Sequence, residues 1–246
     1  MKNKSRKPLW IVLLIIGMMG WTGPAFAGEA AGDSDWKFGA ELYLWGASIG
    51  GTAFTGKNIE VEFDDIIDKL EFAFMGAFAA HKGKWTFLTD VIYMDVSDSN
   101  DLSPGVEATA DLTTWVVTPM VGYNVIQEGM SRLDLLGGAR YLSVEPSITV
   151  DPPGGGREES QSVWDAVVGA RGVVDVAKNL FLVGVLDVGA GDSDLTWQAL
   201  GGIGYRFKHF SLVAAYRYMA WDLADAVKML DDLEIHGPGL GFQFAF

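Results

Sequence analysis

The chain has 246 residues, a formal net charge of −14, no cysteine and 49% hydrophobic residues. So acidic a chain repels nucleic acid, and without cysteine it gains nothing from disulfides or thiolate–zinc ligation. No stretch after residue 27 holds 18 consecutive apolar residues, which excludes helical membrane spans from that part of the chain.

The chain opens with Lys2, Lys4, Arg6 and Lys7, an apolar run from Leu9 to Met19, and Ala25-Phe26-Ala27. Basic start, short apolar core and an A-x-A site are the layout of a cleaved export signal. The run is short of the roughly 20 residues of a membrane helix; the alternative is an uncleaved anchor. Cleavage after Ala27 leaves 219 residues and, with four basic residues lost, takes the net charge from −14 to −18. Residues 28–35 read as a flexible lead-in, and residues 36–246 as one domain without a Pro/Ser-rich linker.

From Trp36 onward, segments of ten or more residues alternate in polarity between turn signals. In the segment 85–93, Trp85, Phe87, Val91 and Tyr93 share one face with Thr89, while Thr86, Leu88, Asp90 and Ile92 share the other. Side chains of a strand alternate between faces, and in a transmembrane barrel one face meets lipid and the other the lumen. The same rule predicts ten strands: 36–49, 70–81, 85–97, 108–125, 132–148, 161–176, 180–190, 195–207, 210–221 and 235–246. Eight or twelve remain alternatives. Alternate connections are tight (81–84, 126–131, 177–179, 208–209), and most of the others are longer (50–69, 98–107, 149–160, 222–234). That asymmetry separates periplasmic turns from outer loops. Lys82, Lys84, Lys178 and Lys208 sit at the tight turns, while the longer connections are acidic.

The last strand alternates Leu240, Phe242, Phe244 and Phe246. This pattern, with the export signal and the strand periodicity, resembles the small bacterial outer-membrane β-barrels, such as outer membrane protein A-like transmembrane barrels. The resemblance implies an all-β, single antiparallel up-and-down transmembrane barrel in the cell outer membrane. It implies that the C-terminal pattern is an assembly signal read by the barrel assembly machinery, and that the surroundings are outer-membrane lipids and lipopolysaccharide.

With apolar side chains facing lipid, the other face carries Glu41, Glu71, Asp90, Asp134, Arg140, Asp165, Arg171, Asp187, Arg206 and Arg217, with Gln198 and Gln243 beside them. An Arg or Lys at the lipid midplane costs roughly 2–4 kcal/mol, so these charges belong inside at membrane depth. Arg forks pair with carboxylates, and a ten-strand lumen is narrow, so the expectation is a charged plug. The leading function is then a non-enzymatic envelope or surface-interaction protein; a narrow solute channel is the alternative. Trp36, Phe207, Phe210 and Phe246 are placed at the periplasmic rim; Tyr93, Trp164 and Trp197 are placed at the outer one.

Two outer loops collect acids: Glu60, Glu62, Asp64, Asp65 and Asp68 in the first, and Asp222, Asp225, Asp231, Asp232 and Glu234 in the last. They are candidate contacts for divalent cations that bridge to lipopolysaccharide, although no EF-hand spacing occurs and a solvated surface is the preferred reading. Both loops contain helical spacings, Phe63-Ile66-Ile67-Leu70 and Leu223-Val227-Leu230. For an enzyme, the candidates are His209-x-Ser211, which resembles the pair of outer-membrane lipid hydrolases, and Asp222, Asp225 and His236 for a protease. The predicted periplasmic turn argues against the first, and no cofactor is implied.

Overall fold

The computed structural model describes residues 35–53, 58–103, 106–151, 154–158, 160–223 and 230–246. The export signal, nearly all of the lead-in, and Asp225 and Val227 lie outside them. Ten antiparallel strands pair in sequence order and close on themselves. They are β1 (Lys37–Trp45), β4 (Leu70–Lys82), β5 (Trp85–Ser103), β6 (Val106–Glu128), β7 (Ser131–Asp151), β9 (Gln161–Asp175), β10 (Leu180–Gly191), β11 (Leu195–Arg206), β12 (Ser211–Asp222) and β13 (Leu230–Ala245). Closure comes from β1 against β13, Gly39 to Trp45 opposite Ala245 to Gly239. Phe38 and Phe246 complete it by exchanging both backbone hydrogen bonds at 2.9 Å. A closed barrel leaves no sheet edge within the ten-strand ring, as backbone in hydrocarbon requires.

The alternation read from the sequence sets the two surfaces. Trp85, Phe87, Leu135, Leu186, Leu240, Phe242 and Phe244 are exposed, whereas Asp134, Arg140, Asp165 and Asp187 are buried. Leu186 is 63% exposed and Arg140 0%; a water-soluble protein would reverse these two. Aromatic rings form two girdles. Trp36, Phe38, Phe78 and Phe246 are linked by ring contacts at one end, as are Phe207 and Phe210. At the other end Phe72–Tyr93–Trp115, Tyr141–Trp164 and Trp197–Tyr218–His236 do the same.

The tight turns after β4, β6, β9 and β11 gather at one end, the end the sequence reading makes periplasmic, and the short β10–β11 turn (192–194) is at the other. Gly83 (φ 57°) and Gly129 (φ 61°) adopt the left-handed backbone that two-residue hairpin turns use. The outer end departs from the expected boundaries because backbone pairing continues past the membrane. β5 and β6 run on to Ser103 and from Val106, so the predicted loop 98–107 is mostly hairpin. β13 begins at Leu230, ahead of the predicted 235, and so takes Leu230 out of the predicted second helix. The predicted first strand is interrupted at Gly46 and Ala47. β2 (Ser48–Ala53) then continues alongside β13, and β3 (Asn58–Val61) pairs with β2. β8 (Gly155–Glu158) folds back on β7.

The first helical spacing forms α1 (Phe63–Lys69), which buries Ile66, half-buries Phe63 and leaves Ile67 exposed. Ser48 Oγ accepts from the Phe63 backbone N–H at 3.2 Å. Lys69 Nζ meets Asp98 Oδ2 at 2.9 Å, and that carboxylate raises the pKa of the ammonium. The helix is thus fastened to the rim through β2 and β5.

Candidate functional site

The lumen is the enclosed chemistry of this molecule, and it is layered. Its outer level is apolar. Met75, Ile92, Val116, Leu142 and Val163 form one cross-strand row over β4, β5, β6, β7 and β9. Trp45, Met219, Trp221, Leu233 and Ile235 complete a buried cluster with them. Here the strands are mostly apolar on both faces, with Ser143 and Ser162 the exceptions beside Leu142 and Val163.

Next toward the periplasm lies a hydrogen-bonded ionic chain. Arg140 on β7 donates to Asp187 on β10 at 2.6 Å and to Thr196 on β11 at 3.0 Å. Gln198 on β11 donates to the second Asp187 oxygen at 2.7 Å and accepts from Arg217 Nε, also at 2.7 Å. Arg217 on β12 then donates to Asp90 on β5 at 2.6 Å and to the Tyr43 hydroxyl on β1 at 3.0 Å. Tyr43 itself donates to Asp90 at 2.7 Å. The chain therefore joins strands from opposite walls. Each guanidinium also lies against an indole of the apolar layer, Arg140 at 5.8 Å from Trp221 and Arg217 at 5.2 Å from Trp45.

Smaller groups occupy the periplasmic part. Gln243 donates to Glu41 at 3.0 Å. Arg206 pairs with Asp175 at 2.6 Å and stacks over Phe181 at 4.2 Å. Arg132 pairs with Asp134 at 2.8 Å, and Asn124 donates to the same carboxylate oxygen at 2.9 Å. Arg171 stands opposite Asp134 in the β7–β9 register. Between these groups and the ionic chain is a cavity of about 130 Å³.

Of the ten charged residues placed in the lumen from sequence, the structure turns nine inward. The exception is Glu71, which is exposed at the outer end of β4. The pairing register shifts between Leu70 and Phe72, so an extra residue takes Glu71 out of the alternation. Asp165 is buried, but it accepts from the Ser193 backbone N–H at 3.0 Å and so holds the β10–β11 turn. Asp134 belongs to the lower group rather than the main chain of bonds. Tyr43, Asn124, Arg132, Asp175 and Thr196 also belong to these networks and were not among the residues read from the sequence. Arg132 and Asp175 share the inward parity of Asp134 and Arg171, so the alternation already pointed to them.

Among the described residues the catalytic candidates do not assemble. Ser211 is buried on the lumen side, whereas His209 is exposed in the turn before it. His236 stacks on Tyr218 and bonds with the Tyr216 hydroxyl at 3.0 Å on the outer surface. Among the described residues no three acidic or histidine side chains converge as metal ligands do.

Solved structures similar to this chain are bacterial outer-membrane barrels. The outer membrane protease OmpT of Escherichia coli matches with a TM-score of 0.51 at 9% identity, over 86% of this chain and 97% of that one. Ail, the attachment invasion locus protein of Yersinia pestis, matches at 0.42 and 13%, over 87% and 99%. Neisserial surface protein A matches at 0.40 and 12%, over 86% and 97%. No family model matches the chain, and no curated protein does. At such identities the likeness concerns fold alone: the chain has the fold of a bacterial outer-membrane β-barrel.

Proposed function

We propose that this is an exported, non-enzymatic outer-membrane barrel with a closed lumen, acting in envelope integrity or surface interaction. The observation that carries this reading is the bonding of Arg217 across the lumen to Asp90 and Tyr43, below a layer of packed Trp, Met and Ile side chains. Ions crossing the barrel would have to break buried charge pairs and then wet an apolar constriction. Both steps raise the barrier to conduction.

Purified protein in planar bilayers is expected to show no stable single-channel current at moderate voltage. Large, steady currents would replace this reading with the narrow-channel one. Against a lipid-hydrolase role, the separation of His209 from Ser211 predicts that neither Ser211→Ala nor His209→Ala changes any hydrolysis of a labelled phospholipid. Loss of hydrolysis in either variant would restore that role.

The lipid-facing belt and the two aromatic girdles are suited to outer-membrane lipid, and the alternating Leu240-Phe242-Phe244-Phe246 strand suits recognition by the barrel assembly machinery. The acids at the outer end favour contact with lipopolysaccharide through divalent cations over direct contact. Chelation is expected to weaken that association; unaltered association after chelation counts against the bridge.

A further inference from the structure

The two ends of the barrel differ in charge. Acids such as Asp95, Asp98, Asp111, Glu145 and Glu234 predominate at the outer end, from the Tyr93–Trp115 girdle upward. At the other end the exposed turns carry Lys82, Lys84, Lys178 and Lys208 against Glu128 and Asp35. Lys82 and Lys84 flank Gly83 in the β4–β5 turn. Among the described residues neither is in an ion pair. Each instead leans over a ring of the lipid-facing girdle. Lys82 Nζ is 5.4 Å from the Trp36 ring, and Lys84 Nζ is 5.9 Å from the Tyr123 ring. Trp36 in turn touches Phe87, and Tyr123 touches Trp85, so both ammonium groups stand above exposed aromatic pairs.

A lysine at a membrane boundary lays its methylene stem on apolar surface and lifts its ammonium to the level of the headgroups. Here the aromatic faces set the direction of that lift, outward over lipid rather than over the lumen mouth. The two charges therefore enter the layer where lipid phosphates lie, with no carboxylate of the protein to neutralise them. A zwitterionic headgroup brings its own cation beside them and is repelled in part. A headgroup of net negative charge is not.

We propose that the β4–β5 turn is a docking surface for phospholipid of net negative headgroup, whose phosphates pair with Lys82 and Lys84 while the acyl chains lie along the exposed Phe87 and Phe78. The lipid belongs to the leaflet opposite the acidic loops, which is the phospholipid leaflet in the orientation read from the sequence. Lipid A phosphates lie in the other leaflet. The inference rests on the proposed outer-membrane location and gives that location a lipid partner at its periplasmic rim.

The test is native mass spectrometry of the folded protein with phosphatidylglycerol and phosphatidylcholine of the same acyl chains. Far-UV circular dichroism and thermal melting check that each variant is folded. The wild type is expected to retain phosphatidylglycerol in preference. Lys82→Gln with Lys84→Gln should weaken that binding roughly 5-fold for each charge removed and leave phosphatidylcholine unaffected. Lys82→Arg with Lys84→Arg should keep the preference. Lys178→Gln with Lys208→Gln removes the same charge from turns whose lysines lie over no ring among the described residues, and should weaken it less. The proposal is overturned if the wild type binds both lipids alike, if it prefers lipid A to phosphatidylglycerol, or if the two glutamine pairs weaken binding equally. It is also overturned if Lys82→Gln with Lys84→Gln loses binding to peptidoglycan sacculi and keeps phosphatidylglycerol, as turns serving the cell wall would. Failure to fold into phosphatidylcholine vesicles would remove the membrane reading and this inference with it. Folding there without a preference for phosphatidylglycerol removes the inference alone.

Discussion

At the scale of single residues, Arg140 shows what enclosed charge requires. Its side chain is fully buried, and its guanidinium bridges Asp187 and Thr196. Removing it strands the Asp187 carboxylate, itself bonded to Gln198, in an apolar surrounding. Breaking such a pair costs about 3–5 kcal/mol. Arg140→Ala is therefore expected to lower unfolding stability by that amount in urea titrations of micelle-folded protein. The double change Arg140→Met with Asp187→Leu should lose less, because no charge is left behind. If the double variant were the weaker of the two, ion pairing would not be what stabilises this level of the lumen. Parity in the sequence placed Arg140 and Asp187 inside. It could not show that they meet, since they lie on strands that are not adjacent in the sheet.

At the scale of elements, the barrel depends on strands approaching closely at small residues. Phe181 projects from β10 across β11, and Gly204 gives it room. Gly204→Ala forces the ring to move, an overpacking expected to cost about 1–3 kcal/mol by the same urea measurement. An unchanged midpoint would mean that the ring has slack. Closure of β1 on β13 is completed by the Phe38–Phe246 backbone pair and their stacked rings. Deleting Phe246 is expected to slow barrel formation in membranes containing the assembly machinery; an unaltered rate would remove the proposed role of that residue. The ten strands were legible to within a few residues in the membrane. They were less so at the outer end, where β5, β6 and β7 keep pairing after lipid stops imposing alternation.

At the scale of the whole molecule, the claim is that polarity is inverted. Leu186 faces outward from β10 between the girdles. Leu186→Arg is expected to destabilise the membrane-inserted protein by about 2–4 kcal/mol, read from refolding into lipid vesicles. In a water-soluble globule, a charge at so exposed a position would be almost neutral, so a negligible effect would contradict the membrane assignment. The inverted arrangement also explains a sequence feature that reads ambiguously. Where the lumen is apolar, as at Ile92, Met94, Val116 and Leu142, both faces of the strand are greasy and the alternation fades. The alternation placed Ile92 on the inner face beside Asp90, but the charged plug expected from the sequence did not include an apolar layer.

What the sequence settled alone was which way most side chains of the regular strands face. The period of two is a property of the extended backbone, and lipid on one side makes it visible in composition. What only the tertiary structure decided was which inward residues touch. That depends on how the ten strands are offset when they close, and on local shifts such as the bulge that turned Glu71 outward. The offset is a global property with no counterpart in any one segment. For the same reason, the Arg217–Asp90 bond, the apolar layer and the cavity beneath the ionic chain appear only in the folded molecule.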